Sequence, residues 1–170
     1  MTNVNLHGAN GLLPLALGWA GAYASFDIYG GPYDKYPGAD IAFGVCVREE
    51  RAATAVWDVW LPIRDFDVPK DDGAVAVAIK QTLEAALAGR VVYVGCMGGW
   101  GRTGLFLALL AKAAGVRDPI HYVRKNYTPH AVETAEQKAY VQNFDVAAIR
   151  GWLFWRAWNV RARKMAFWWS

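Results

Sequence analysis

Cys96 and Arg102 are separated by five residues in the stretch VVYVGCMGGWGRTGLF, Val91 to Phe106, and glycines stand at 95, 98, 99, 101 and 104 around them. A thiolate is a strong nucleophile, and a planar guanidinium grips two oxygens of a phosphate at once. Glycine clears side chains from a turn. The backbone N–H groups of Met97, Gly98, Gly99, Trp100, Gly101 and Arg102 can then converge on one point and form a nest for an anion. A helix opening at that turn adds the positive end of its dipole, which favours both a bound phosphoryl group and the thiolate form of the cysteine. The pattern reads as one loop that binds a phosphate and carries the atom that attacks it.

Two other glycine motifs are set aside. Gly99 to Gly104 fits G-x-G-x-x-G by letter, but the segment after it looks helical, and no second strand ending in an acidic residue comes at the distance a dinucleotide site needs. A Walker loop needs a Gly-Lys-Ser/Thr ending, and neither the spacing nor the lysine is there.

The loop must be held by regular elements on both sides. Val91 to Val94 is a short, fully apolar strand of the kind found at the centre of a covered sheet. Thr103 to Ala114 is apolar nearly all round and stops at Gly115, as a buried helix does. Upstream, Asp40 to Val47 and Thr54 to Ile63 are rich in β-branched and aromatic residues and read as strands. Gly73 to Ala88 sets Val75, Ile79, Leu83 and Leu87 at steps of four, with Asp71 or Asp72 available to cap it and Gly89 past its end. Asp118 to Asn126 and Thr134 to Phe144 are read as helices, Thr134 serving as a cap. Interleaved strands and helices imply an α/β fold, a single compact domain whose central, mostly parallel sheet is flanked by helices. The loop then sits at the carboxyl end of a strand, where such sheets commonly take their ligands.

At Cys96, Gly99, Arg102, Thr103 and Gly104 the chain resembles the cysteine-dependent protein tyrosine and dual-specificity phosphatases, whose signature is His-Cys-x-x-Gly-x-x-Arg-Ser/Thr-Gly. LPIRDFDVPKDD, Leu61 to Asp72, is similar to that family's general-acid loop, with Asp65 the best fit and Asp67 in reserve. Asn126 to Phe144 is similar to the segment after the signature helix, through the run Ala131 to Gln137. The resemblance covers Ile41 to Phe144. It implies a phosphatase-like domain over 1–149, followed by a tail over 150–170, and hydrolysis of phosphotyrosine, with phosphoserine or phosphothreonine in addition, on a protein or peptide partner. In that mechanism Cys96 attacks phosphorus, Asp65 protonates the departing oxygen and later activates water, and Arg102 and the loop amides hold the oxygens. Thr103 donates to the leaving thiolate and Gln137 positions the water. No metal and no other cofactor is implied.

The chain departs from the signature at Gly95, which stands where the family has histidine. Weaker activation of the thiol is expected, and a phosphate-binding module without turnover stays open, as does an RNA 5'-phosphatase built on the same cradle. Met97, Gly98 and Trp100 carry no charge, which argues against a highly anionic lipid headgroup, and Trp100 suits the wall of a pocket.

At 170 residues, 55% hydrophobic and 19% charged, the chain has material for one ordinary core. A net charge of +3 does not by itself point to nucleic acid. Two cysteines, Cys46 and Cys96, make no disulfide framework and suit a reducing compartment. Cys46 reads as a packing residue, a reversible disulfide with Cys96 resting on a distance the sequence leaves open, and His121 and His130 read as surface residues. The N-terminal apolar stretch lacks preceding basic residues and nothing reaches a membrane span, so the cytoplasm is the expected location. In the tail, Trp152, Trp155, Trp158, Ala162 and Met165 fall at helical steps, which fits a terminal helix packed on the domain. Its tryptophans and arginines also suit an anionic membrane interface, an acidic partner or single-stranded nucleic acid.

Overall fold

The computed structural model describes residues 6, 8–19, 22–50 and 56–156, and among them five strands share one sheet. These are β1 (Gly11–Trp19), β2 (Ala22–Pro32), β3 (Phe43–Cys46), β4 (Val59–Trp60) and β5 (Val92–Cys96). Their order across the sheet is β1-β2-β5-β3-β4; β1 runs antiparallel to β2 and the remaining pairs are parallel. The helices are α1 (Asp72–Leu87), α2 (Gly101–Ala113), α3 (Pro119–Asn126) and α4 (Ala135–Asn143), and a further helix runs over 147–156. The chain has the expected α/β fold with a mostly parallel sheet.

Each element follows from its residues. All five residues of β5 are buried, as a parallel strand with neighbours on both sides requires. Val45, Val92 and Val94 join the same core as Ile79 and Leu83 of α1 and Leu105 to Leu110 of α2. On the alternate positions, Cys46 and Tyr93 are buried under a second group of side chains, in which Trp57 stacks on Tyr36 with ring centroids 4.1 Å apart. Asp71, the first of the two expected caps, accepts from the Ala74 N–H at 3.0 Å and starts α1. Thr134 and Gln137 close a reciprocal capping box on α4.

The far end of α4 is closed from another helix. Lys112 Nζ donates to the carbonyls of Val141, Gln142 and Phe144 at 2.8, 2.6 and 2.9 Å. Lys112→Met keeps the stem and removes those three charge-assisted bonds, so it should cost about 2 kcal/mol and lower the melting temperature by about 4–8 °C in a thermal scan.

The sheet differs from the expected one in three places. First, β1 and β2 form a hairpin where the sequence shows only an interrupted apolar stretch. Leu13, Leu15 and Leu17 are buried and alternate with exposed Pro14 and Ala16, a period of two hidden because the exposed residues are not polar. Second, the strand expected over Asp40 to Val47 is shorter, because the N–H groups of Ile41 and Ala42 turn back onto the Gly38 carbonyl. Third, of the strand expected over Thr54 to Ile63, only Val59–Trp60 pairs as a strand; Trp57 is drawn onto Tyr36 and Pro62 has no N–H to give. Thr54 itself lies outside the described residues.

The helix over 147–156 runs through residue 150 and buries Ile149 and Leu153; of the tryptophan row, Trp152 is partly buried against the core and Trp155 is exposed. Trp158, Ala162 and Met165 lie outside the described residues. Among the described residues no helix is long and apolar enough to cross a membrane.

Candidate active site

The carboxyl ends of β2, β3 and β5 bring the candidate residues to one edge of the sheet. Cys96 is the last residue of β5, and its Sγ accepts the Gly99 N–H at 3.2 Å. Between them the chain reverses, and Gly99 sits at φ +78°, where a side chain would be strained. The carbonyls of the turn are held from outside. Gly98 O accepts from Asn10 Nδ2 at 2.7 Å, and Gly99 O accepts from the Tyr127 hydroxyl. Helix α2 then opens without a side-chain cap, so its first amides are left for an anion.

Arg102 is almost fully buried, and both ends of its guanidinium are engaged. Nη1 donates to Ile63 O at 3.2 Å and to Glu50 Oε2 at 3.3 Å, while Nη2 pairs with Asp65 Oδ1 at 2.9 Å. Asp65, distant in sequence, is therefore placed beside the loop. Glu50 also takes the Arg48 Nε at 3.1 Å, and these guanidinium contacts, with a backbone hydrogen bond first among the causes, hold its carboxyl below the usual range. Asp67 turns elsewhere: Lys70 Nζ pairs with it at 2.9 Å and, with the Val68 N–H, holds its carboxyl below the usual range. A carboxyl so disposed to stay ionised is poorly suited to deliver a proton.

Gln137 is buried and used at both ends. Its Oε1 accepts the Glu133 N–H at 2.9 Å, and its Nε2 donates to Asp67 O at 3.2 Å, tying the segment that holds Asp65 and Asp67 to α4. The Thr103 hydroxyl is buried and has no hydrogen-bond partner among the described residues. Met97 and Trp100 are exposed at the mouth, and the Trp100 ring lies 5.4 Å from that of His130. Gly104 allows the 131–132 backbone to lie against α2, since a β-carbon there would stand 2.6 Å from Ala131 Cβ.

A family model described as the DSP-PTPase phosphatase domain of the Swiss Army Knife proteins matches residues 44–146, which span Asp65, the loop from Cys96 to Arg102 and α4. The chain belongs to this DSP-PTPase family. Two uncharacterized proteins of Methanocaldococcus jannaschii, MJECL20 and MJ0215, are 41% identical over 88 residues and 39% identical over 85. The chain spans 58% and 52% of their lengths, and the aligned parts are 51% and 49% of this chain. The fold is shared with Tk-PTP in its active form, at a TM-score of 0.57 and 23% identity over 77% of this chain and 96% of that one. It is shared also with a kinase-associated phosphatase whose catalytic-site cysteine is replaced by serine, at a TM-score of 0.58 and 15% identity over 81% and 94%.

Within this DSP-PTPase domain the glycine before the cysteine has a steric cause. A β-carbon at Gly95 would stand 2.9 Å from Trp57 Cη2, 3.2 Å from Tyr33 Cα and 3.3 Å from Tyr93 Cε1. The aromatic group that covers this face of the sheet fills the room a histidine would take. Gly95→His should therefore destabilise the DSP-PTPase domain by about 1–3 kcal/mol, read from denaturant unfolding, and should not raise its turnover.

Cys46 stands opposite Gly95 in the β3–β5 register, not opposite Cys96. Side chains alternate along a strand, so the two cysteines leave the sheet on opposite faces, and both are free thiols. Burial pushes the Cys46 thiol up. Among the described residues no cluster of three or more His, Cys, Asp or Glu is placed to hold a metal ion. Asn10, Arg48, Glu50 and Tyr127 carry no motif of their own, and only the fold brings them to the loop.

Proposed function

We propose that this domain hydrolyses phosphomonoesters through a phosphocysteine at Cys96, with phosphotyrosine on a protein as the favoured substrate and phosphoserine or phosphothreonine as slower ones. The observation that carries the reading is the Asp65–Arg102 pair at 2.9 Å beside the cysteine loop, which joins an acid, a clamp and a nucleophile at one uncapped helix end.

The phosphoryl group enters the loop and takes the Nη2 side of Arg102 in place of Asp65, while Nη1 stays anchored on Ile63 and Glu50. That competition frees Asp65 from the guanidinium and leaves it beside the ester oxygen, where the carboxylate takes up the proton that a monoanionic phosphate ester brings with it. The Cys96 thiolate attacks phosphorus as the bond to the ester oxygen breaks, and Asp65 gives that oxygen its proton. Water then attacks the phosphocysteine, Asp65 takes a proton from it, and the thiolate leaves toward the unpartnered hydroxyl of Thr103. Loop amides and Arg102 stabilise the oxygens throughout. Exposed Phe66, Met97 and Trp100 favour an aromatic ring next to the phosphate.

The test offers wild-type protein an aryl phosphate, phosphotyrosine, phosphoserine and phosphothreonine peptides, and 5'-phosphorylated RNA. Phosphate should be released fastest from the aryl phosphate and the phosphotyrosine peptide. Release from RNA alone would overturn the substrate, and binding of every substrate without release would make the domain a phosphate-binding module.

A further inference from the structure

We infer that Asn10 and Tyr127 are positioning residues of the cysteine loop, fixing the direction of its amides from the outside. The inference rests on the proposed phosphate-binding role of the loop and goes beyond it by assigning residues of the hairpin and of the α3 end to that site.

The direction of an amide is set by its peptide unit. In a trans peptide, the carbonyl of one residue and the N–H of the next point in opposite directions. Asn10 Nδ2 draws the Gly98 carbonyl outward, so the Gly99 N–H of the same unit must point inward, and it is this N–H that reaches Cys96 Sγ at 3.2 Å. The Tyr127 hydroxyl draws the Gly99 carbonyl outward, which sends the Trp100 N–H inward in the same way. Two adjacent amides of the nest thus owe their direction to two side chains far apart in sequence. Gly95 contributes no side chain to this support.

The support is built rather than incidental. Gly11 and Gly30 face each other in the β1–β2 register, and together they open a slot for the Tyr127 ring. A β-carbon at Gly30 would stand 2.8 Å from ring atoms Cε2 and Cζ, and one at Gly11 would stand 3.0 Å from Cδ2. Gly99 in turn lies so close to Gly31 and Asn10 that a β-carbon there would be 2.5 Å from Asn10 Nδ2. Burial holds the Tyr127 hydroxyl protonated well above the ordinary tyrosine range, which keeps it a donor to the carbonyl. Asn10 and the glycine slot all lie ahead of the matched segment 44–146.

Three full-length variants test this. Tyr127→Phe keeps the ring in its slot and removes the donor, Asn10→Ala removes the amide, and Asn10→Asp keeps the shape but turns an acceptor toward the Gly98 carbonyl. Affinity for inorganic phosphate is measured by calorimetry, and aryl phosphate turnover and melting temperature are measured beside it. Each variant should bind phosphate about tenfold more weakly, with kcat/KM reduced in proportion and the melting temperature within a few degrees of wild type. A packing role alone would leave Asn10→Asp and Tyr127→Phe with wild-type phosphate affinity, and that result overturns the inference even where the wild type turns over. Weakened binding in the variants of a wild type that binds phosphate but releases none from any ester would uphold the tethers and overturn the phosphatase reading. A wild type that binds no phosphate would overturn both.

Discussion

Cys96→Ser should lower aryl phosphate turnover by at least about 10³-fold while leaving phosphate affinity near that of the wild type. The two halves of this result have separate causes. The nest is made of backbone amides and the Arg102 guanidinium, and a serine at the end of β5 disturbs neither. The attacking atom is another matter. A serine hydroxyl is a far weaker acid than a thiol and keeps its proton, and neither aspartate of the 65–67 segment stands ready to take it: Asp65 is paired with Arg102 and Asp67 with Lys70. Binding and chemistry should therefore come apart at this one residue. A measured fall in binding as large as the fall in turnover would mean that the substitution had collapsed the loop.

The second large effect is expected at the acid. Asp65→Ala should reduce kcat for an alkyl or peptidyl phosphate by about 10²–10³-fold, with little change in KM. The loss should shrink for an aryl ester whose leaving oxygen departs without a proton, because the missing contribution is proton transfer and not binding. Asp67→Ala should cost far less, since that carboxylate is spent on Lys70 and on the Val68 N–H and is held below the range where it would carry a proton. A leaving-group series run on both variants separates the two aspartates. Should Asp67→Ala show the larger, leaving-group-dependent loss, the acid loop turns two residues further during catalysis than it stands here.

The parts of this molecule that are legible in its sequence are those encoded locally. The β5–loop–α2 unit is contiguous, so its apolar strand, its glycines and its apolar helix announce it together. Asp71 before α1 and the Thr134–Gln137 box before α4 are likewise short-range devices. The hairpin is harder to see, although Leu13, Leu15 and Leu17 alternate, because Ala16 and Pro14 on the outer face are not polar and no turn residue pair marks its reversal. The supports of the loop are not legible at all. Glu50 reaches Arg102 across 52 residues and Asn10 reaches Gly98 across 88, and no spacing rule connects such pairs. The glycine at 95 reads in sequence as a missing side chain; in the structure it is a site already filled by Trp57, Tyr33 and Tyr93.

That distinction bears on whether the domain acts or only binds. The loop is held from the hairpin side and from the end of α3, Arg102 is anchored on Ile63 and Glu50, and Asp65 stands beside it. A rapid acid quench of wild-type protein mixed with excess aryl phosphate, followed by peptide mass spectrometry, decides whether the nucleophile is used. One phosphoryl group should be found, carried on the sulfur of Cys96 and absent from Cys96→Ser. Phosphate release with no modified cysteine, at a rate the Cys96→Ser protein shares, would contradict a phosphocysteine mechanism.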